Sequence, residues 1–417
     1  MAVPRGVRRR AAFALALVLL SSAACDSSTS PSSAPVAVSE RPATPAATPA
    51  SIPPAPRAST VPPAVPYTDW TELAFPEPTP HVYGGSSVEA AIAFEGGYLA
   101  VGQVNGGCCD ASFSTDTHGV VWRSSDGRAW SIEPRSKVFD LAHLSDIATD
   151  GRTIVISGTR MLDSTYYPGE VDPKGAVWTS DDGRTWTRIT GMPRFTAVVY
   201  GAGTFLGVTD EALPDLLWSS VDGRRWSPVS AGKVLRPGAI NDLVVTPLGI
   251  SAVGSTDAIG GGAAGVSWRS LDGRTWIRSS DQPSLVGGTM TRVAAAGTSL
   301  VASGSGPDAA VVWWSTDGLI WAKVDGSVFG NAPILSVDGL TAGPRGLLAA
   351  GTISAESPSF GLWASQDGRA WAKLETPFQD GGPSQLSAIE RGDGLIVFGD
   401  AYDPLKGRLV PAAWDVR

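Results

Sequence analysis

The sequence predicts an all-β fold: a seven-bladed β-propeller of four-stranded antiparallel blades, closed by an N-terminal strand that joins the last blade. Three observations carry this. A W-x-S-x-D-G-x-x-W pattern recurs six times, with aspartates at 126, 182, 222, 272, 317 and 367. That spacing of 40 to 56 residues belongs to propeller blades. Upstream of each copy, two apolar runs flank a glycine-containing turn, as in AAIAFEGGYLAVGQ at 90–103, so each unit holds two hairpins. Finally, 49 glycines and 15 tryptophans with only 17 % charged residues describe a turn-rich β protein.

The chain opens on an export signal. Arg5, Arg8, Arg9 and Arg10 precede the apolar run Ala11–Ala24, which is too short to span a bilayer comfortably. SSAAC resembles a bacterial lipobox, with Ser22 where that pattern has an aliphatic residue. Residues 1–24 are expected to be a lipoprotein-type signal peptide and Cys25 the lipidated residue. An ordinary secretory signal cleaved near Ala24 stays open as the alternative. Residues 25–66, rich in Pro, Ser, Ala and Thr, bury too little apolar surface to fold. They are expected to form a disordered stalk about 100 Å in reach.

The propeller is expected over 67–417. YTDWTEL (67–73) reads as an outermost strand, with Trp70 in the place that Trp130 holds in the first unit. Six full units follow, each with strands a, b, c and d and the tryptophan pattern at the c–d turn. A seventh unit starts at LSAIERGDGLIVFGD (386–400) and stops at Trp414 before its own turn. The N-terminal strand therefore supplies its missing strand d, removing the open edge. Within each turn, glycine supplies a positive φ, and the Ser and Asp side chains satisfy turn backbone groups. The two tryptophans of a unit, eight residues apart about the aspartate, are expected to face each other across the hairpin.

The pattern resembles the Asp-box (BNR) repeat of sialidase-type and related propellers, whose usual form, S-x-D-x-G-x-T-W, has one more residue. The resemblance implies that the boxes lie on the rim opposite the ligand-binding face. It makes turn builders of Ser124, Asp126, Gly127 and Trp130; of Ser180, Asp182, Gly183 and Trp186; and of Ser220, Asp222, Gly223 and Trp226. The same holds for Ser270, Asp272, Gly273 and Trp276; for Ser315, Asp317, Gly318 and Trp321; and for Ser365, Asp367, Gly368 and Trp371. Sialidases of this fold clamp a carboxylate with three arginines, one from an Arg-Ile-Pro motif. That motif is missing here, and no Arg or Lys stands between Arg57 and Arg123. No catalytic residue is assigned.

Chemistry elsewhere is sparse. His81, His118 and His143 show no zinc-ligand spacing, so neither a metal nor a cofactor is expected. The net charge of −8 with no basic patch argues against nucleic acid. Cys108 and Cys109 are candidates for a vicinal disulfide in an exported chain. Three long b–c loops, 103–119, 159–175 and 400–411, are expected to crowd one rim. They carry Asp116, His118, Tyr166, Tyr167, Glu170, Tyr402 and Asp403, a candidate ligand face for a glycan or protein. The sequence thus favours a monomeric, non-enzymatic binding or scaffold module, lipid-anchored at the outer face of the cell membrane or envelope. A glycoside hydrolase of sialidase-like fold with an altered active site is the alternative.

Overall fold

The computed structural model describes residues 66–78, 85–104, 117–160, 174–209, 215–258, 261–329, 334–353, 359–375, 386–403 and 405–417. Seven four-stranded antiparallel sheets form the blades. Blade 1 comprises Ser86–Phe94, Gly97–Val104, His118–Ser124 and Ser131–Ile132 as strands a to d. Blade 2 comprises Ala142–Thr149, Ile154–Arg160, Lys174–Ser180 and Thr187–Ile189. The innermost strands of blades 3 to 6 are Phe195–Gly201, Ala239–Thr246, Thr289–Ala296 and Ile334–Gly343.

Blade 7 takes Ser387–Arg391, Gly394–Asp403 and Arg408–Val416 from the C-terminus and Trp70–Glu72 from the N-terminal side. Trp70 pairs with Val416 and Glu72 with Trp414, which closes the ring. Tyr67 locks this closure. It is fully buried, and its hydroxyl donates to Gly346 O (3.2 Å) in the a–b turn of blade 6. In every blade the a–b and c–d turns share one end of the barrel. The b–c and d–a connections share the other.

Each c–d turn is built by its own side chains. In blade 1, Ser124 Oγ accepts from Gly127 N (2.8 Å) and donates to Asp126 Oδ1 (3.1 Å). The same carboxylate oxygen accepts from Arg128 N and Ala129 N (2.8 and 2.9 Å). Gly127 sits at φ 74°, where a side chain would be strained. Matching bonds recur at Asp182, Asp272 and Asp317. Backbone N–H donors hold the Asp126, Asp182, Asp222 and Asp272 carboxyls below the ordinary range, so these groups stay ionised as turn acceptors.

The register corrects one expectation. The two tryptophans of a unit do not face each other across the hairpin. Trp268 pairs with Arg278, and Trp276 with Ser270. Pairing is centred on the turn glycine, one residue past the aspartate, because the Ser and Asp bonds wrap the turn around that glycine. A third ring joins the tryptophans instead. Phe75 stacks on Trp122 (5.3 Å) and meets Trp130 (5.6 Å); Phe139 lies tilted between Trp178 and Trp186 (5.7 and 5.6 Å). Each such phenylalanine comes from the preceding d–a connection, so in blades 1, 2 and 6 the wedge is a Trp–Phe–Trp cluster, and Leu235 and Leu285 take the middle place in blades 4 and 5.

Close packing extends to the channel. A β-bulge interrupts the innermost strand of blades 1, 2, 4 and 5 at one level. Just before it, a strand-b glycine lies under a strand-a carbonyl. A Cβ on Gly254 or Gly304 would clash with backbone oxygen, so these sites admit only glycine.

Candidate functional site

Much of the predicted ligand face lies outside the described residues: Asp116, Tyr166, Tyr167, Glu170 and the Tyr402 side chain, with Cys25, Cys108 and Cys109. Of the rest, Asp403 is held in a local network. It accepts from Leu405 N (2.9 Å) and pairs with Lys406 Nζ (2.9 Å), which also reaches Glu77 (2.6 Å). The lysine keeps the Asp403 carboxyl below its ordinary range. His118 begins strand c of blade 1 and lines the outer cleft between blades 1 and 2.

The channel holds two carboxylates that the sequence did not single out. Asp146 of blade 2 accepts from Val198 N (2.7 Å) in the innermost strand of blade 3. Asp242 of blade 4 accepts from Val293 N (2.8 Å) in blade 5. Each also accepts from the N–H of its own successor, Ile147 or Leu243 (2.8 Å). They serve as clips that satisfy the edge N–H groups of the next blade. Burial raises Asp146 to about 7 and Asp242 to about 6 against these hydrogen bonds. Arg292 opposes the rise at both sites, and Asp242 adds to it at Asp146. Among the described residues no group of three or more metal-ligating side chains occurs.

Three hollows matter. The largest, about 860 Å³, lies at the box end over blades 1 to 3, away from the b–c loops. Its charges are largely matched: Arg224 holds both oxygens of Asp181 at 2.7 Å, and Arg123 pairs with Glu133 (2.8 Å). Asp150, Asp182 and Asp222 are engaged in their own turns.

The other two are equivalent outer clefts, between blades 1 and 2 (about 330 Å³) and between blades 4 and 5 (about 270 Å³). The first is walled by Trp186, Phe139, His118, Glu133, Arg135 and Arg184. Five of the six box tryptophans donate the indole N–H to the carbonyl of their own box glycine, at 3.0 to 3.2 Å. Trp186 is the exception, and its Nε1–H has no hydrogen-bond partner among the described residues. Blade 5 shows how the position is otherwise sealed. Trp321 Nε1 also donates to Ser267 Oγ (2.9 Å), its backbone N donates to Gln282 Oε1 (2.9 Å), and Gln282 Nε2 donates to Leu319 O (2.7 Å). In the first cleft Val121 stands where Ser267 does, and Ser136 where Gln282 does. Gln282 and Ser136 each follow a box tryptophan by six residues, so an alignment of the d–a connections reveals the exchange.

No protein-family model matches the chain, and no curated protein matches it significantly. Solved structures do align. A protein of unknown function from Dyadobacter fermentans shares 15 % identity over 84 % of this chain and 98 % of its own, with TM-score 0.50. YCF48 bound to D1 peptide shares 13 % over 86 % of this chain and 98 % of its own, with TM-score 0.52. An ancestral GH74 enzyme shares 11 %, with TM-score 0.52, over 80 % of this chain and 48 % of its own. At such identities the likeness establishes the propeller fold and nothing finer.

Proposed function

We propose that this protein is a binding or scaffold propeller that engages a glycan or protein through its b–c loop end. One observation carries this most. The channel carboxylates Asp146 and Asp242 are spent on holding neighbouring blades together, as structural groups are. The described chain begins at Pro66 beside Tyr67, at the box end and away from the b–c end. That suits a head presented outward from a lipidated Cys25 on a stalk, with the repeat belonging to the Asp-box type. No helix among the described residues is long and apolar enough to cross a membrane.

A glycoside hydrolase is the second reading. It is favoured by the elevation of Asp146 and Asp242 toward neutrality, the property a general acid needs. A hydrolysis screen on the purified head, with Asp146→Asn and Asp242→Asn, separates the two. The binding reading expects no turnover of any glycoside by the wild type. Turnover abolished by either variant while the fold persists would establish the enzyme instead.

A further inference from the structure

The blade 1–blade 2 cleft holds the one box tryptophan that lacks, among the described residues, the indole bond the other five keep. In the repeat, a box tryptophan is spent inward on its own glycine carbonyl, and the blade 4–blade 5 cleft adds a glutamine clip and a serine acceptor. At Trp186 all three are missing: no bond to Gly183 O, Ser136 for the glutamine and Val121 for the serine. The outcome is a half-buried indole with an available donor, set beside Phe139 at 5.6 Å.

The charges around it are largely engaged. Arg135 holds Asp140 Oδ1 through two nitrogens (3.0 and 2.9 Å). Glu133 is engaged by Arg123 (2.8 Å) and approached by Arg184 (3.7 Å). A site of this kind leaves no spare carboxylate to hold an ammonium, and its least engaged cation, Arg184, is largely exposed and shares Glu133 with Arg123. It offers a flat aromatic face, one indole donor and a polar rim, in a volume at the lower end of small-molecule pockets. That matches an uncharged sugar ring, with its C–H face on the indole and a hydroxyl accepting from Nε1–H.

From this we infer that the outer cleft between blades 1 and 2 is a binding site for a neutral saccharide, with Trp186 as its platform. The inference goes beyond the binding function proposed above. It also departs from that proposal in location, since the cleft runs along the barrel wall from His118 toward the blade 2 box.

The test is calorimetric titration of the purified protein with cellohexaose, maltohexaose and chitohexaose. Sialyllactose and a proline-rich peptide are the charged and peptidic comparisons. Wild type is expected to bind at least one neutral hexasaccharide. Trp186→Ala should abolish that binding. Ser136→Gln, which rebuilds the blade 5 clip toward Arg184 O and Trp186 N, should weaken it at least tenfold while the melting temperature holds or rises. Binding of a neutral hexasaccharide untouched by Ser136→Gln and by Trp186→Ala in its folded form overturns the cleft and leaves the binding function standing. Binding of only the peptide or sialyllactose, or of none of the probes, overturns the neutral-saccharide assignment; the function proposed for the b–c end is then judged by its own screen.

Discussion

The outer clefts of blades 1/2 and 4/5 share backbone, tryptophan pair and incoming connection. Trp178 donates to Val138 O (3.0 Å) just as Trp313 donates to Ser284 O (2.8 Å). Among the side chains that differ, two decide whether the polar groups of the box turn are spent within the cleft wall. Gln282 and Ser267 consume the polar groups of the blade 5 turn; Ser136 and Val121 leave those of blade 2 available. In a repeat protein the copies control for one another. A departure from a bond pattern kept elsewhere says more than a cavity's size, and the largest hollow here, at the box end, has mostly matched charges.

Four predictions break or sharpen this contrast. The largest effect belongs to Ser136→Gln, which should close off the Trp186 turn and weaken saccharide binding at least tenfold, read by calorimetry. Next, Gln282→Ala should strip three hydrogen bonds from the sealed cleft, two of them to the blade 5 turn. Leaving a largely buried turn N–H unpaired costs about 1–3 kcal/mol, measurable by urea denaturation. Third, Trp130→Phe should cost about 1 kcal/mol by losing its buried bond to Gly127 O, whereas Trp186→Phe should fall within about 0.5 kcal/mol of wild type. Equal costs for the two would mean that the Trp186 N–H is paired after all.

The smallest effect concerns the channel side of blades 2 and 4. Asp146 and Asp242 hold their protons to about pH 7 and 6 when folded, but release them near pH 4 when unfolded. Between those values the folded state binds more protons, so their contribution to stability falls as pH rises from about 4 to 7. Asp146→Asn should flatten that slope in a series of melting curves. A slope unchanged by the substitution would contradict the assignment.

The fold was legible because its determinants are local and repeated. Gly127 and its counterparts need a positive φ, Ser124 and Asp126 cap the same turn, and the count of boxes sets the blades. Trp70 and Trp414 even declared the closure. The register of the hairpin was less so, because side-chain bonds to the turn backbone shift its centre to the glycine. The site was hardly legible. Asp146 and Asp242 look like ordinary strand residues until the ring brings the next blade's edge N–H against them. Phe139 and Ser136 acquire meaning only beside Trp186, which lies about fifty residues downstream. The contrast between Gln282 and Ser136 was in the sequence, at one fixed offset from a tryptophan. What it seals required the neighbouring blade.

The most direct test observes the tryptophan side-chain N–H resonances of ¹⁵N-labelled protein during titration with the neutral hexasaccharides. Trp186→Phe and Trp321→Phe assign the two signals. The Trp186 signal should exchange fastest with solvent among the six box tryptophans, then shift and saturate as saccharide binds, while Trp321 stays still. A Trp186 signal as protected as that of Trp321, or one that stays put as saccharide binds, would contradict an open cleft at blade 2.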